Sequence, residues 1–221
     1  MSWYQMFAKG HHGYPQPEDS YELELYESVC QRCGMHGPQT NPIRLRSTSK
    51  APHSDFIQPN WVFDLFLIRS EVEPLLLKEG FTSISFGTVI EHRTNTVSAH
   101  LRQLIVHKII PSAEVSLLPK VTCIPDNEES RFDLPGPKRY PPDTPFCRRI
   151  KSHPPTTVVL NHPDLSCAPD LFQTDEWFGS GGEAFRITIC SERFRNFVIH
   201  HKLRGIGFDI VQLTGHSLRA T

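Results

Sequence analysis

One short motif in the sequence has the residue types and spacing of a metal site. Cys30 and Cys33 are separated by two residues and are followed directly by Gly34. Two thiolates at this spacing can bind one zinc ion at about 2.3 Å each, and the glycine lets the chain turn so that backbone amides point at the sulfurs. A closed structural site needs four ligands, so the motif supplies half of one. We therefore expect one structural zinc ion bound by Cys30, Cys33 and further residues.

No second motif names the remaining ligands, because the sequence contains no other C-x-x-C. Isolated cysteines and histidines are the candidates: His36, Cys123, Cys147, His153, His162 and Cys167. A thioredoxin-like redox role is disfavoured, since the reactive cysteine of such sites lies at a helix N-terminus and Gly34, Gly37 and Pro38 would end a helix here. A packed cysteine pair without metal is the remaining alternative.

The sequence lacks the motifs of common enzyme sites. H-E-x-x-H, G-x-S-x-G and the Walker phosphate loop do not occur. The glycine-rich run Gly179–Gly182 is expected to lead into a strand, whereas a phosphate-binding loop leads into a helix N-terminus. Cys190 ends an apolar run and is expected to pack in the core. We predict that the protein is not an enzyme and has no catalytic residues.

A weak internal repeat indicates the elements that position the motif. Residues 65–86 align with residues 186–208, matching Ser70 with Ser191. In both copies the serine ends an apolar run and precedes a glutamate, as at a helix N-cap, and Glu73 also gives Ser70 the spacing of a capping box. The pattern predicts an α+β fold of two pseudo-repeated strand-helix-strand units.

A proline-rich stretch separates the two units. Of the 19 prolines, 12 lie between Pro111 and Pro169. Because proline fixes φ and removes a backbone donor, we expect an irregular connection with short extended pieces such as Thr156–Leu160. Four large apolar residues could anchor this connection to the core: Phe132, Tyr140, Phe146 and Ile150.

These patterns divide the chain into three parts within one compact domain. Residues 1–110 form the N-terminal unit with the C-x-x-C-G knuckle, residues 111–168 the connection packed on the core, and residues 169–221 the C-terminal unit. Short strands are expected at residues 3–7 and 21–26, and residues 97–110 suit a helix or a strand.

The charge balance disfavours two classes of partner. Lys and Arg total 23 against 24 Asp and Glu, a formal net charge of −1, so no overall field attracts nucleic acid or anionic lipid. No apolar run approaches the roughly 20 residues that span a bilayer, and the first residues lack the pattern of a secretory signal. We expect a cytoplasmic protein that binds no membrane and for which nucleic acid is a disfavoured partner.

Three short runs in the C-terminal unit carry a resemblance to a known family. They are Pro169–Phe172 (PDLF), Ser191–Phe194 (SERF) and Leu203–Phe208 (LRGIGF). Together with the knuckle at Cys30–Gly34, they resemble the double-CXXCG immunity proteins of bacterial polymorphic toxin systems, of the myxobacterial type. The chain departs from that family at its second CXXCG, of which only the first cysteine, Cys147, is present.

The resemblance implies both a ligand set and a function. Cys147 would be the third zinc ligand, and the fourth would come from Cys123, a histidine or water. The protein would bind a cognate protein toxin and neutralise it by steric occlusion, without catalysis.

The partner-binding residues predicted for that role lie in one loop. Acidic and aromatic side chains suit the surface of a basic nuclease toxin, and Asp175, Glu176, Trp177 and Phe178 combine both. The alternative for this loop is that Trp177 and Phe178 cap the core. The alternative for the whole protein is a zinc-knuckle adaptor that docks another protein or nucleic acid.

Overall fold

The computed structural model describes residues 2–46, 52–123, 145–180 and 182–214. Within these ranges the fold is α+β and mostly sheet, as the sequence predicts, with three short α-helices. The elements in chain order are β1 (Trp3–Ala8), α1 (Tyr21–Leu25), β2 (Ile43–Leu45), β3 (Phe56–Ile57), β4 (Phe66–Arg69), α2 (Glu73–Glu79), β5 (Ile84–Glu91), β6 (Thr96–Val106), β7 (Ile109–Ile110), β8 (Lys120–Thr122), β9 (Ile150–Ser152), β10 (Val159–Asn161), a 3-10 turn (His162–Leu165), β11 (Leu171–Thr174), β12 (Thr188–Ser191), α3 (Glu192–His200), β13 (Ile206–Ile210) and β14 (Gln212–Thr214).

Two five-stranded sheets form the framework. The first has the order β13-β1-β12-β11-β7 and the second the order β2-β5-β6-β4-β3. In the first sheet β1 pairs antiparallel with both β12 and β13, so the two ends of the described chain share one sheet. Two smaller ladders involve the proline-rich stretch. The antiparallel ladder β8-β9 lies within it, and the parallel ladder β10-β14 pairs one of its strands with the end of the described chain.

The two aligned segments have the same element order, strand, helix, strand. In each, a strand from elsewhere in the chain separates the two strands: β6 lies between β4 and β5, and β1 lies between β12 and β13. The separating strand is antiparallel to both neighbours in each case. This arrangement recurs in unrelated α+β proteins, so an internal duplication stays a prediction.

The helix caps differ between the two segments. Ser191 is the N-cap of α3, and its hydroxyl accepts a hydrogen bond from the amide of Phe194 at 3.2 Å. The predicted cap at Ser70 is wrong, because α2 begins at Glu73 and Ser70 instead donates to the carbonyl of Ala99 at 3.0 Å. The Ser70 amide also bonds to the carbonyl of His100, and this contact with β6 holds the serine at the end of the strand pair.

The structure also decides two further expectations, one for residues 21–26 and one for residues 97–110. Residues 21–25 form a helix and not the predicted strand, because Tyr21 and Leu25, four residues apart, bury the same helix face. Residues 96–106 form β6, the strand alternative of the two left open. It pairs along most of its length with β5, which places apolar side chains such as Leu104 in the core.

One apolar cluster joins both sheets. Phe194 from α3 lies 5.1 Å from Phe81 and 6.3 Å from Phe56, measured between ring centroids, and all three rings are buried. Cys190 belongs to the same cluster with no exposed surface, as predicted. The two halves of the chain are therefore packed against each other through a common core.

The proline-rich stretch is largely irregular in its described part and contains short strands, including β10 near the predicted extended piece. Two predicted anchors, Phe132 and Tyr140, lie outside the described residues. Phe146 packs against the cluster that contains Cys30 and Cys33. Ile150 is not an anchor, since it is 55% exposed on β9.

Candidate metal centre

Four cysteines meet at one point near the proline-rich stretch. Their sulfur atoms all lie within 4.8 Å of one another, and the residues are Cys30, Cys33, Cys123 and Cys147. Three are buried and Cys147 is half-buried. The predicted ligands Cys30, Cys33 and Cys147 are thus brought together, and the structure adds Cys123 from among the candidates for the fourth position.

The first two cysteines lie on a tight knuckle. The amide of Gly34 donates to the carbonyl of Cys30 at 2.8 Å, and the amide of Cys30 donates to the carbonyl of Met35 at 2.9 Å. Gly34 has a φ of +77°, a conformation that side chains other than glycine rarely adopt. Backbone amides of the turn point at the sulfurs, including those of Arg32 and Cys33 towards Cys30.

The other two cysteines are held by the antiparallel β8-β9 ladder. Cys123 follows β8 directly, and its amide donates to the carbonyl of Arg149 at 3.0 Å. The amide of Arg148 returns a bond of 3.0 Å to the carbonyl of Cys123. These backbone bonds extend the ladder, so Cys147 and Cys123 face the knuckle from adjacent chain segments.

The distances fit a tetrahedral ion. At a zinc-sulfur distance of about 2.3 Å, the edge of the sulfur tetrahedron measures about 3.8 Å. The sulfurs of Cys30 and Cys123 are 3.7 Å apart, and those of Cys33 and Cys147 are 3.5 Å apart. Four soft thiolates in this shape favour zinc or iron over magnesium and calcium. Two sulfur-sulfur distances therefore match the tetrahedral edge, and all of them are within 4.8 Å, so the four cysteines could hold a metal ion of this class.

Hydrogen bonding distributes the protons of the cluster unevenly. The pKa of Cys30 falls to about 4, chiefly because the thiol of Cys33 donates to its sulfur. For the same reason, and because of burial, the pKa of Cys33 is raised. Burial also raises the pKa of Cys123. Metal ligands bind as thiolates, so binding of a divalent ion must displace the protons that the cluster holds, and metal affinity should fall as pH is lowered.

Apolar side chains shield the cluster from water. Met35 is fully buried beside the cysteines, and Phe146, Trp177 and Ala184 pack against them. The guanidinium carbon of Arg32 lies 3.9 Å from the ring centroid of Phe146. This cover excludes solvent from one side of the centre and is typical of a structural metal site more than of one open to substrate.

The other candidate ligands lie elsewhere. His36 bonds to Asp64 at 3.2 Å and stacks on Tyr26 at 3.5 Å between ring centroids. Cys167 is exposed, and His153 does not belong to the group of four cysteines. The side chain of His162 lies outside the described part of the structure.

The sequence could not single out Cys123, because it belongs to no C-x-x-C. The two segments that position it, residues 120–122 (KVT) and 150–152 (IKS), mix apolar and polar residues and lie inside the proline-rich stretch, with Cys123 directly after the first and Cys147 three residues before the second. Pairing of those strands necessarily brings Cys123 close to Cys147.

The loop proposed for partner binding lies beside this centre. Asp175 has a side chain that is 58% exposed and forms an ion pair of 3.3 Å with Arg186. Glu176 is half-buried and accepts from the amide of Ala113 at 3.3 Å. Trp177 is half-buried against the cysteines, and Phe178 has no exposed surface. In this arrangement the aromatic pair covers the interior, and the accessible polar group is the carboxylate of Asp175.

None of the helices in the described ranges is long and apolar enough to cross a bilayer. No protein-family model matches the chain, and no curated protein matches it significantly.

Proposed function

We propose that the protein is a zinc-stabilised immunity protein, which binds a cognate bacterial toxin and blocks it by steric occlusion. One observation carries the proposal. Cys147 stands where the resemblance places the second CXXCG of the family, and its sulfur lies 3.5 Å from that of Cys33, which is 114 residues away in sequence. A ligand inferred from that resemblance therefore lies at the first knuckle.

The role of zinc in this proposal is structural. Four cysteines from three chain segments leave no open coordination position for a substrate. When bound, the ion would tie the knuckle at Cys30–Gly34 to the β8-β9 ladder. A rigid surface loses less conformational entropy on binding a partner, which favours tight inhibition.

Metal analysis tests the centre. The purified chain is expected to contain one equivalent of zinc, measured by plasma mass spectrometry together with iron, copper and other first-row metals. Cys30→Ser and Cys147→Ser should lose the ion, whereas Cys167→Ser, at an exposed cysteine outside the cluster, should keep it. Equal metal content in all three variants would rule out the four-cysteine centre.

Co-expression tests neutralisation. A toxin-like C-terminal domain encoded beside this chain is expressed under an inducible promoter, with and without the chain. Growth should be restored by the wild type and a direct complex should form in titration calorimetry. Killing that is unchanged by the chain would refute the pairing, whatever the metal content.

The four-cysteine centre also fits a second function, a zinc-knuckle adaptor that docks another protein or nucleic acid. The two functions differ in the consequence of binding. An adaptor would bind its partner without suppressing a toxic activity, so the growth experiment separates them.

A further inference from the structure

A buried lysine lies directly beside the cysteine cluster. Lys151 on β9 is 2% exposed, although lysine is among the residue types least often buried. Its ammonium group donates to the carbonyl of Cys33 at 2.9 Å and to the carbonyl of Glu183 at 2.6 Å. Lys151, which lies on β9, therefore contacts both the knuckle and the segment that precedes β12.

The charge of a filled centre favours such a group. One divalent ion with four thiolates carries a net charge of −2, and burying that charge is unfavourable unless a cation lies close by. Burial lowers the pKa of Lys151, whereas negative charge on Cys33, Cys123, Glu183 and Cys30 favours its ammonium form. Two nearby arginines are placed differently: Arg149 donates to the carbonyl of Met35, and Arg32 lies over Phe146.

The second contact of Lys151 reaches the glycine-rich segment after the predicted partner loop. A Cβ atom on Gly34 would lie 2.1 Å from the carbonyl oxygen of Gly182, so the knuckle and this segment are in direct backbone contact. Ala184 packs on the cysteines themselves. The position of residues 182–184 thus depends on the same groups that position the first two ligands.

We propose that Lys151 is the internal counter-charge of the metal centre and couples metal loading to the position of residues 182–184. The inference rests on the proposed metal centre and adds a positioning residue to it. The lysine does not bind the ion. It offsets the negative charge of the thiolates and joins the carbonyl of Cys33 to that of Glu183.

Zinc affinity tests the counter-charge. Lys151→Met keeps the length of the side chain and removes its charge, and Lys151→Arg keeps the charge. In competition with a chromophoric chelator at constant pH, Lys151→Met should bind zinc about 10- to 100-fold more weakly, the range found when groups supporting metal ligands are lost. Lys151→Arg should recover most of the affinity, and Lys120→Met, at an exposed lysine on the paired strand β8, should not change it.

Hydrogen exchange tests the coupling. In the zinc-loaded wild type the amide of Glu183, which donates to the carbonyl of Ser180 at 2.9 Å, should exchange slowly, and in Lys151→Met it should exchange faster while the amides of α3 do not change. Equal zinc affinity of Lys151→Met and wild type, or equal losses in the Met and Arg variants, would overturn the proposal. If Lys151→Met does not fold, Lys151→Gln, which keeps a donor without charge, takes its place under the same criteria. A wild type that binds no zinc would instead refute the metal centre itself.

Discussion

At the scale of single residues, the chain places its six cysteines in three environments. Cys167 is exposed, Cys190 is fully buried in the shared core, and the other four form the candidate centre. Burial raises the pKa of Cys190 well above the ordinary thiol range. The thiolate is the reactive form of cysteine. Cys190 is therefore protected both because its sulfur is buried and because it keeps its proton at neutral pH.

Thiol labelling should therefore proceed in three steps. A maleimide added to the zinc-loaded native protein is expected to label Cys167 alone, a strong chelator should expose the four cysteines of the centre, and Cys190 should react only on unfolding. Mass spectrometry of peptides after each step identifies the labelled positions, and Cys167→Ser controls for the first step. Labelling of Cys190 together with the four others would contradict this order.

A second prediction concerns the half-buried carboxylate of Glu176. Burial raises the pKa of Glu176, so the folded state holds its proton more tightly than the unfolded chain does. Ionisation therefore costs stability as pH rises from the ordinary glutamate pKa of 4.5 through the raised folded value. Glu176→Gln keeps an acceptor for the amide of Ala113, and it should be more stable than wild type at pH 7.5 and equal to it near pH 3.5, measured by urea unfolding.

Glu114 provides the opposite sign. Hydrogen bonds from Ser116 lower the pKa of Glu114, so its ionised form favours the folded state. Glu114→Gln should lose stability at pH 7.5, where Glu176→Gln gains it. Changes of the same sign in both variants would show that a general effect of net charge dominates.

At the scale of elements, the two serines that look alike in sequence have different roles. Ser191 is 1% exposed, caps α3 and donates to the carboxylate of Asp170 at 2.6 Å. Ser70 has one side-chain bond, to the carbonyl of Ala99, and caps no helix. Ser191→Ala should lower the free energy of unfolding by about 1–2 kcal/mol. Ser70→Ala should cost less than about 1 kcal/mol. Equal losses in chemical denaturation would contradict this assignment.

The same pair shows how far local patterns predict elements. In both segments a serine follows an apolar run and precedes a glutamate, which is compatible with a helix cap. The pattern carries no information about β6, whose hydrogen bonds with Ser70 hold that serine at the end of β4. Pro74 near the start of α2 also favours the later helix start that the structure shows. Strand β1 was predictable from its own sequence, whereas its place between β12 and β13 depends on pairing with residues nearly 200 positions away.

At the scale of the whole molecule, the candidate site was predictable only in half. The knuckle is local, so Cys30 and Cys33 are recognisable from spacing alone. Cys147 was inferred from the family resemblance. Cys123 was one of several candidates for the fourth ligand, and only the β8-β9 ladder of the structure places it beside the other three cysteines. Lys151 had no signal, because burial of a lysine follows from tertiary packing.

The two kinds of organisation in the molecule should respond differently to metal removal. The core around Phe194 joins both five-stranded sheets without any cysteine of the centre, while the four cysteines belong to a separate small cluster. Stability gained from a bound ion is lost on chelation, since only the folded state holds the ligands together.

Chelation should therefore lower the melting temperature but leave the far-ultraviolet circular dichroism at 20 °C almost unchanged. Amide exchange should accelerate in residues 30–35 and 120–123 and remain slow in β1 and α3. The variant Cys30→Ser, which lacks the complete ligand set, should melt at the lower temperature already and show no further response to the chelator. Global unfolding on chelation would contradict this separation, because it would mean that the core cannot hold the two sheets together without the metal.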